Sequence, residues 1–101
     1  EECKVQFPYL IRINTEEHID INKMVFVLGK SRTDADYSIN NNAVSRKHAQ
    51  IIIKNKKCVI VDLNSKNKTY VNECPIPFGK EIEIFSGDRL RLANEEFLFY
   101  Y

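Results

Sequence analysis

Tryptophan is absent from this 101-residue chain, methionine occurs once, and glycine, proline and cysteine occur three times each. So few glycines and prolines argue against a low-complexity or disordered chain. The three cysteines, Cys3, Cys58 and Cys74, form an odd set with no C-x-x-C interval. With His18 and His48 they show no zinc-ligand spacing, so reduced thiols and no metal are expected. An excess of one charge is also missing: 15 basic against 14 acidic residues leave a net charge of +1. A general nucleic-acid binder carries a stronger basic bias, so that class is disfavoured unless one face is polarised. No apolar run approaches the roughly 20 residues that span a bilayer, and no secretory leader is visible. The length fits one domain with a single modest core. The chain starts at Glu1 rather than Met, so a fragment of a longer protein is expected, and the reduced thiols point to the cytoplasm.

What is present is alternation. "YLIRIN" (9–14) and "EHIDIN" (17–22) read with period two, and "MVFVL" (24–28) is a short apolar strand. "AQIIIK" (49–54) and "CVIVDL" (58–63) flank a turn at "NKK", and "EIEIF" (81–85), "DRLRLA" (88–93) and "EEFLFYY" (95–101) follow. No window shows the i, i+3, i+4, i+7 pattern of a helix. Many short strands imply an all-β sandwich or barrel. Ile11, Ile13, Val25, Val27, Ile51, Ile53, Val59, Val61, Leu90 and Leu92 are the core candidates. Two stretches, 29–48 and 64–80, do not alternate; they are rich in Asn, Ser, Lys and Asp, as binding loops are. The "NNN" tract at 40–42 reads as a turn.

"VFVLGKSR" (25–32) places Gly-Lys-Ser after a strand, as a P-loop does. The full pattern needs a glycine five residues before Gly29 and a helix after Ser31. Met24 occupies that position and no helical pattern follows, so the match fails. Instead, "LGKS", "AVSRKHAQI", "VDLNSKNKTYVN" and "SGDRLRL" follow one another in that order. Together they resemble a forkhead-associated (FHA) domain, a phosphothreonine-binding β-sandwich of two mostly antiparallel twisted sheets. Its fingerprint is Gly-Arg, Ser-x-x-His, then Asn-Gly-Thr with a following Asn. The resemblance covers about residues 9–100, and the wording is similar to FHA domains of larger Gram-positive bacterial proteins.

The resemblance implies a phosphopeptide site on Lys30, Ser45, Arg46, Lys66 and Asn67. Lys30 stands where the family has arginine and supplies charge, Ser45 donates its hydroxyl to phosphate, and Arg46 adds a rim cation. Asn67 is implied to bond the ligand main chain, with Lys66 offering a backbone N–H. Gly29, His48, Lys68, Thr69 and Asn72 are implied to support these loops; Asp62 and Asp88 read as turn residues. A phosphothreonine carries about −1.5 to −2 charges and three acceptor oxygens, which suits a cation, a hydroxyl and backbone donors converging from loops. Two departures stand out. Lysine at 30 loses the planar guanidinium fork. Lys68 replaces the usual glycine, so a left-handed backbone angle is expected there at a cost of about 1 kcal/mol.

The expected function is phosphothreonine-dependent protein interaction downstream of a Ser/Thr kinase, by a monomer without cofactors, nucleic acid or membrane insertion. A phosphorylation-independent adaptor on the same scaffold is the alternative. A Ser45–His48 hydrolase is disfavoured: no orienting acid and no oxyanion-hole glycines are visible.

Overall fold

The computed structural model describes residues 7–101; Cys3 lies outside them. Eleven strands and no helix occur among the described residues. The first sheet has the order β2 (Glu17–Asp20), β1 (Tyr9–Arg12), β11 (Glu95–Tyr100), β10 (Arg89–Leu92), β7 (Thr69–Val71), β8 (Cys74–Pro75). The second runs β4 (Tyr37–Ser38), β3 (Val25–Gly29), β5 (Ala49–Lys54), β6 (Lys57–Asp62), β9 (Ile82–Ile84). All pairings are antiparallel except the short β3–β4 contact.

The core lies between the sheets. Leu10, Ile19, Leu90, Leu92, Phe97 and Phe99 contribute from the first sheet; Phe26, Leu28, Ala49, Ile51, Cys58, Ile60 and Ile84 come from the second. Alternation puts one face of each strand inward, as in β11, where Glu95, Phe97 and Phe99 are buried and the residues between them are not. Burial pushes the Cys58 thiol up to about 11, so it remains protonated.

The two sheets correct part of the expected core. Ile51, Ile53, Leu90 and Leu92 face it, but Ile13 and Val25 are exposed and Ile11 and Val27 are half-buried on outer faces. Val59 and Val61 are buried yet lie outside the core cluster, on the opposite face of β6 from Cys58 and Ile60. In β1 and β3 both phases of the alternation are apolar, so pattern alone does not choose the inward one. A one-residue slip then exchanges the faces.

The stretch 64–80, which does not alternate in sequence, is not all loop. It holds the β7–β8 hairpin, turned by Asn72 and Glu73 with φ of 51° and 67°. Likewise 29–48 contains β4. Besides 76–80, what remains irregular is 30–36, 39–48 and 63–68, three loops that leave or enter the second sheet at the end where Leu28, Ala49 and Asp62 pair.

Candidate phosphopeptide-binding loops

Backbone hydrogen bonds bring the three loops together. Lys30 N donates to Ser45 O at 2.9 Å, Ser31 N to Arg46 O at 3.1 Å, and His48 N to Leu28 O at 2.9 Å. Gly29 makes this approach possible: a Cβ there would sit 2.0 Å from the Arg46 carbonyl oxygen. Ser31 is buried, and its Oγ accepts from Asp34 N at 2.9 Å, closing the turn after Lys30.

Ser45 Oγ accepts the Lys66 N–H at 3.0 Å, joining the second loop to the third. That leaves the Ser45 hydroxyl hydrogen free to donate. Asn67 Nδ2 donates to Ala43 O at 2.7 Å, a second tie between the same loops. Ser45 and Lys30 are half-buried, and Arg46, Lys66, Asn67 and Lys68 are exposed. Arg46 reaches one carboxylate, Asp34, at 3.9 Å. The five residues the sequence assigned to ligand contact thus come from three adjoining loops.

Beneath them lies a buried polar frame. His48, with no exposed surface, accepts the Ser45 N–H at Nδ1 (3.0 Å), and its Nε2–H donates to Lys68 O (2.9 Å). This bonding defines a neutral tautomer. Burial lowers the His48 pKa, opposed by the Lys68 carbonyl and the charge of Asp62. Both ring nitrogens are therefore committed to backbone groups. The Ser45 hydroxyl is bonded to Lys66 instead, so the pair lacks the arrangement of a nucleophile and its base.

Asp62, 3% exposed, is the hub of the third loop. Its Oδ1 accepts from the hydroxyls of Ser65 and Thr69, and its Oδ2 from Ser65 N at 3.1 Å. Burial alone would raise its pKa, but these donors and nearby His48 bring it below the usual aspartate range. The loop of 63–68 is thereby pinned at both ends. Lys68 has φ 72° and Asn64 φ 64°, so both turn through the left-handed region.

Asn41 is a further participant, in the tract read only as a turn. Its Oδ1 accepts Ala43 N at 2.8 Å, and its Nδ2 donates to Glu95 Oε2 and Asn94 Oδ1, each at 2.8 Å. Glu95 is buried and also accepts Arg12 Nε at 3.0 Å. Asn41 thus ties Ala43, the residue whose carbonyl accepts from Asn67, to the first sheet. Asn72 works elsewhere: its partners are Asp88 (3.1 Å) and Arg89 N (2.9 Å), so it ties the β7–β8 turn to the β9–β10 turn. Asp88 also accepts Phe85 N at 2.8 Å, as a turn residue does. The sequence marked Asp62 as a turn residue and Asn41 as part of a turn tract, but neither as a hub; the one signal for that was polar residues flanking the Ser45 and Asn67 motifs.

A family model described as the FHA domain matches residues 26–93, so the chain belongs to the FHA domain family. Among curated relatives, FHA domain-containing protein FhaA of Mycobacterium tuberculosis is 32% identical over 72 residues, 71% of this chain and 13% of that protein. Pre-mRNA leakage protein 1 of Saccharomyces cerevisiae is 38% identical over 66 residues, 61% of this chain and 32% of that protein. The chain thus spans a third or less of the length of such relatives. Among solved structures, an FHA domain studied for phosphothreonine-dependent interactions superposes with a TM-score of 0.85 at 25% identity, covering 95% of this chain and 97% of that one. Mycobacterium tuberculosis EmbR, in complex with a low-affinity phosphopeptide, gives 0.87 at 27% identity over 94% of this chain and 24% of its own.

Proposed function

We propose that this domain binds phosphothreonine-containing segments of protein partners and so links its parent protein to Ser/Thr kinase signalling. One observation carries the reading. The Ser45 hydroxyl, the Lys30 ammonium and the Arg46 guanidinium arise from two loops joined by the Lys30 N–Ser45 O and Ser31 N–Arg46 O bonds. This supplies a neutral donor and two cations for one dianion. Asn67 stands on the adjoining loop, suited to a ligand main-chain group once it releases Ala43 O. EmbR with its phosphopeptide and the phosphothreonine-dependent FHA domain support the same reading by likeness.

In this reading the chain is a single FHA domain of a longer cytoplasmic protein. It acts as a monomeric interaction module rather than an enzyme, without metal, cofactor or nucleic acid. Calorimetry tests it: a phosphothreonine peptide should bind, and its phosphoserine and unphosphorylated counterparts should bind more weakly or not at all. The threonine methyl, if buried, contributes on the order of 0.8 kcal/mol over serine. Equal binding of all three would instead indicate a phosphorylation-independent adaptor.

A further inference from the structure

Cations are distributed unevenly over the molecule. Away from the three loops, Arg12, Lys23, Lys54, Arg89 and Arg91 each hold a carboxylate within 3.0 Å, while Lys56, Lys57 and Lys80 are scattered singly or in one hairpin turn. The loops themselves carry Lys30, Arg32, Arg46, Lys47, Lys66 and Lys68; their acidic residues are Asp34 and Asp36, with Asp62 buried at the base of the third loop. Asp36 is spoken for by Lys23 Nζ at 2.7 Å and Val27 N at 2.8 Å. Among the described residues, the 3.9 Å contact from Arg46 to Asp34 is the sole ion pair made by any of the six loop cations.

The backbone holds the loops that carry these groups close to one another. Lys30 and Ser31 bond to Ser45 and Arg46, Lys66 N bonds to Ser45 Oγ, and the Lys68 carbonyl is held by His48. The loops cannot spread to relieve mutual repulsion without breaking those bonds. Because the whole chain is only +1, the remainder of the domain is net acidic. The molecule is therefore electrically polarised, positive at the binding end. One phosphothreonine dianion neutralises at most two of the loop charges.

We infer that the ligand is an acidic phosphosegment: a phosphothreonine flanked within a few residues by further anionic groups, carboxylates or a second phosphate. This rests on the phosphothreonine reading and narrows the class of partner that fits it. Lys30 and Arg46 meet the phosphate, while Arg32, Lys47 and Lys68 meet the flanking charge. Exposed pairs are individually weak and salt-sensitive, so their sum sets selectivity among phosphothreonine sites.

The experiment uses fluorescence anisotropy with one phosphothreonine core in four forms: neutral flanks, three flanking carboxylates, one neighbouring second phosphate, and neutral flanks without phosphate. A single-stranded oligonucleotide serves as a fifth probe. Either anionic flank should tighten binding roughly three- to thirtyfold at low salt, with the gain shrinking toward about 0.5 M salt. Which flank gives the larger gain identifies the source of the charge. The Arg32→Gln/Lys47→Gln variant should lose most of that gain and bind the neutral-flank phosphopeptide as before. Equal affinity for neutral and acidic flanks overturns the inference. So does an oligonucleotide that binds as tightly as the acidic phosphopeptide, since the loops would then read charge alone. The parent reading has its own control: if the neutral-flank phosphopeptide binds no better than its unphosphorylated twin, phosphothreonine recognition itself fails.

Discussion

The two ends of the sandwich solve the same geometric problem in different ways. At one end β5 and β6 are joined by Asn55 and Lys56, with φ of 51° and 62°. Six residues along the same two strands, the chain turns again through Asn64 and Lys68, with φ of 64° and 72°. Both ends use non-glycine residues in the left-handed region, where asparagine is tolerated and lysine is not favoured. The hairpin end is held by ladder bonds: Lys54 faces Lys57, and the turn needs no buried side chain. The loop end is held by His48, Asp62, Ser65 and Thr69, all buried. A tight turn takes its shape from the strands it connects. A loop that must offer a hydroxyl, an amide and cations in fixed relation needs a polar frame of its own, with every group satisfied.

Removing that frame should separate the two ends most sharply. His48→Ala leaves the Ser45 N–H without a partner, at about 1–3 kcal/mol for a buried group left unpaired, and leaves the Lys68 carbonyl with Ala93 N alone. The lost ring adds a cavity. We expect a stability loss of about 2–4 kcal/mol in urea denaturation, together with loss of phosphopeptide binding. Asn55→Ala, at the hairpin end, should leave binding unchanged. Binding retained in a folded His48→Ala variant would show that the loops hold their shape without the frame.

The proposed contact residues should behave in the opposite sense, losing affinity without stability. Hydrogen bonds to charged groups contribute about 1.5–3 kcal/mol. Ser45→Ala or Lys30→Ala should therefore weaken phosphopeptide binding roughly ten- to a hundredfold by calorimetry, with the melting temperature barely moved. A combined variant that still binds fully would remove both residues from the site.

The same contrast explains what could be read from the sequence. Strands with one apolar phase, such as β10 with Leu90 and Leu92, point inward as expected. The loops were legible as a family fingerprint, because Gly29, Ser45, His48 and Asn67 occur in a recognisable order. β1 and β3 misled because Leu10 competes with Ile11, and Phe26 and Leu28 compete with Val25 and Val27. Only the opposing sheet decides between such phases. The β7–β8 hairpin was hidden because Asn72–Glu73 carries no glycine and its strands have three and two residues. Asp62 and Asn41 were unreadable for another reason. Their roles depend on partners such as Thr69 and Glu95, which the chain delivers only after folding.

Acid should act on the two ends unequally. Folded His48 has a lowered pKa, so below the unfolded value of about 6.5 the unfolded chain takes up a proton that the folded frame refuses. Its contribution is complete above that value and is lost as pH falls, by at most about 1.4 kcal/mol per pH unit for one proton. Asp62, also lowered, adds a further loss below about pH 4, as the unfolded carboxylate protonates first. Ligand affinity should fall below about pH 6 as well, where the phosphate takes up its second proton. Urea titrations between pH 7 and 5 check the first effect. His48→Gln should abolish that slope if His48 is its source, and an unchanged slope would assign it to another group.

The smallest effect tests the comparison most directly, because it uses the same residue at both ends. Lys56 and Lys68 occupy left-handed angles of 62° and 72°. Glycine adopts these angles without steric cost but has more freedom to lose on folding. Lys56→Gly and Lys68→Gly should therefore each stabilise the domain by some tenths of a kcal/mol to about 1 kcal/mol. Their effects on binding should differ. Lys56 lies in the hairpin, and its replacement should leave phosphopeptide affinity unchanged. Lys68 adds charge to the binding end, and its backbone carbonyl accepts from both His48 and Ala93 N. Lys68→Gly keeps that carbonyl and removes the ammonium, so it should weaken binding of an acidic phosphopeptide modestly, about two- to fivefold, with the loss disappearing in high salt. Paired melting curves and anisotropy at two salt concentrations would measure both. A loss that persists in high salt would mean that glycine loosens the loop rather than merely discharging it.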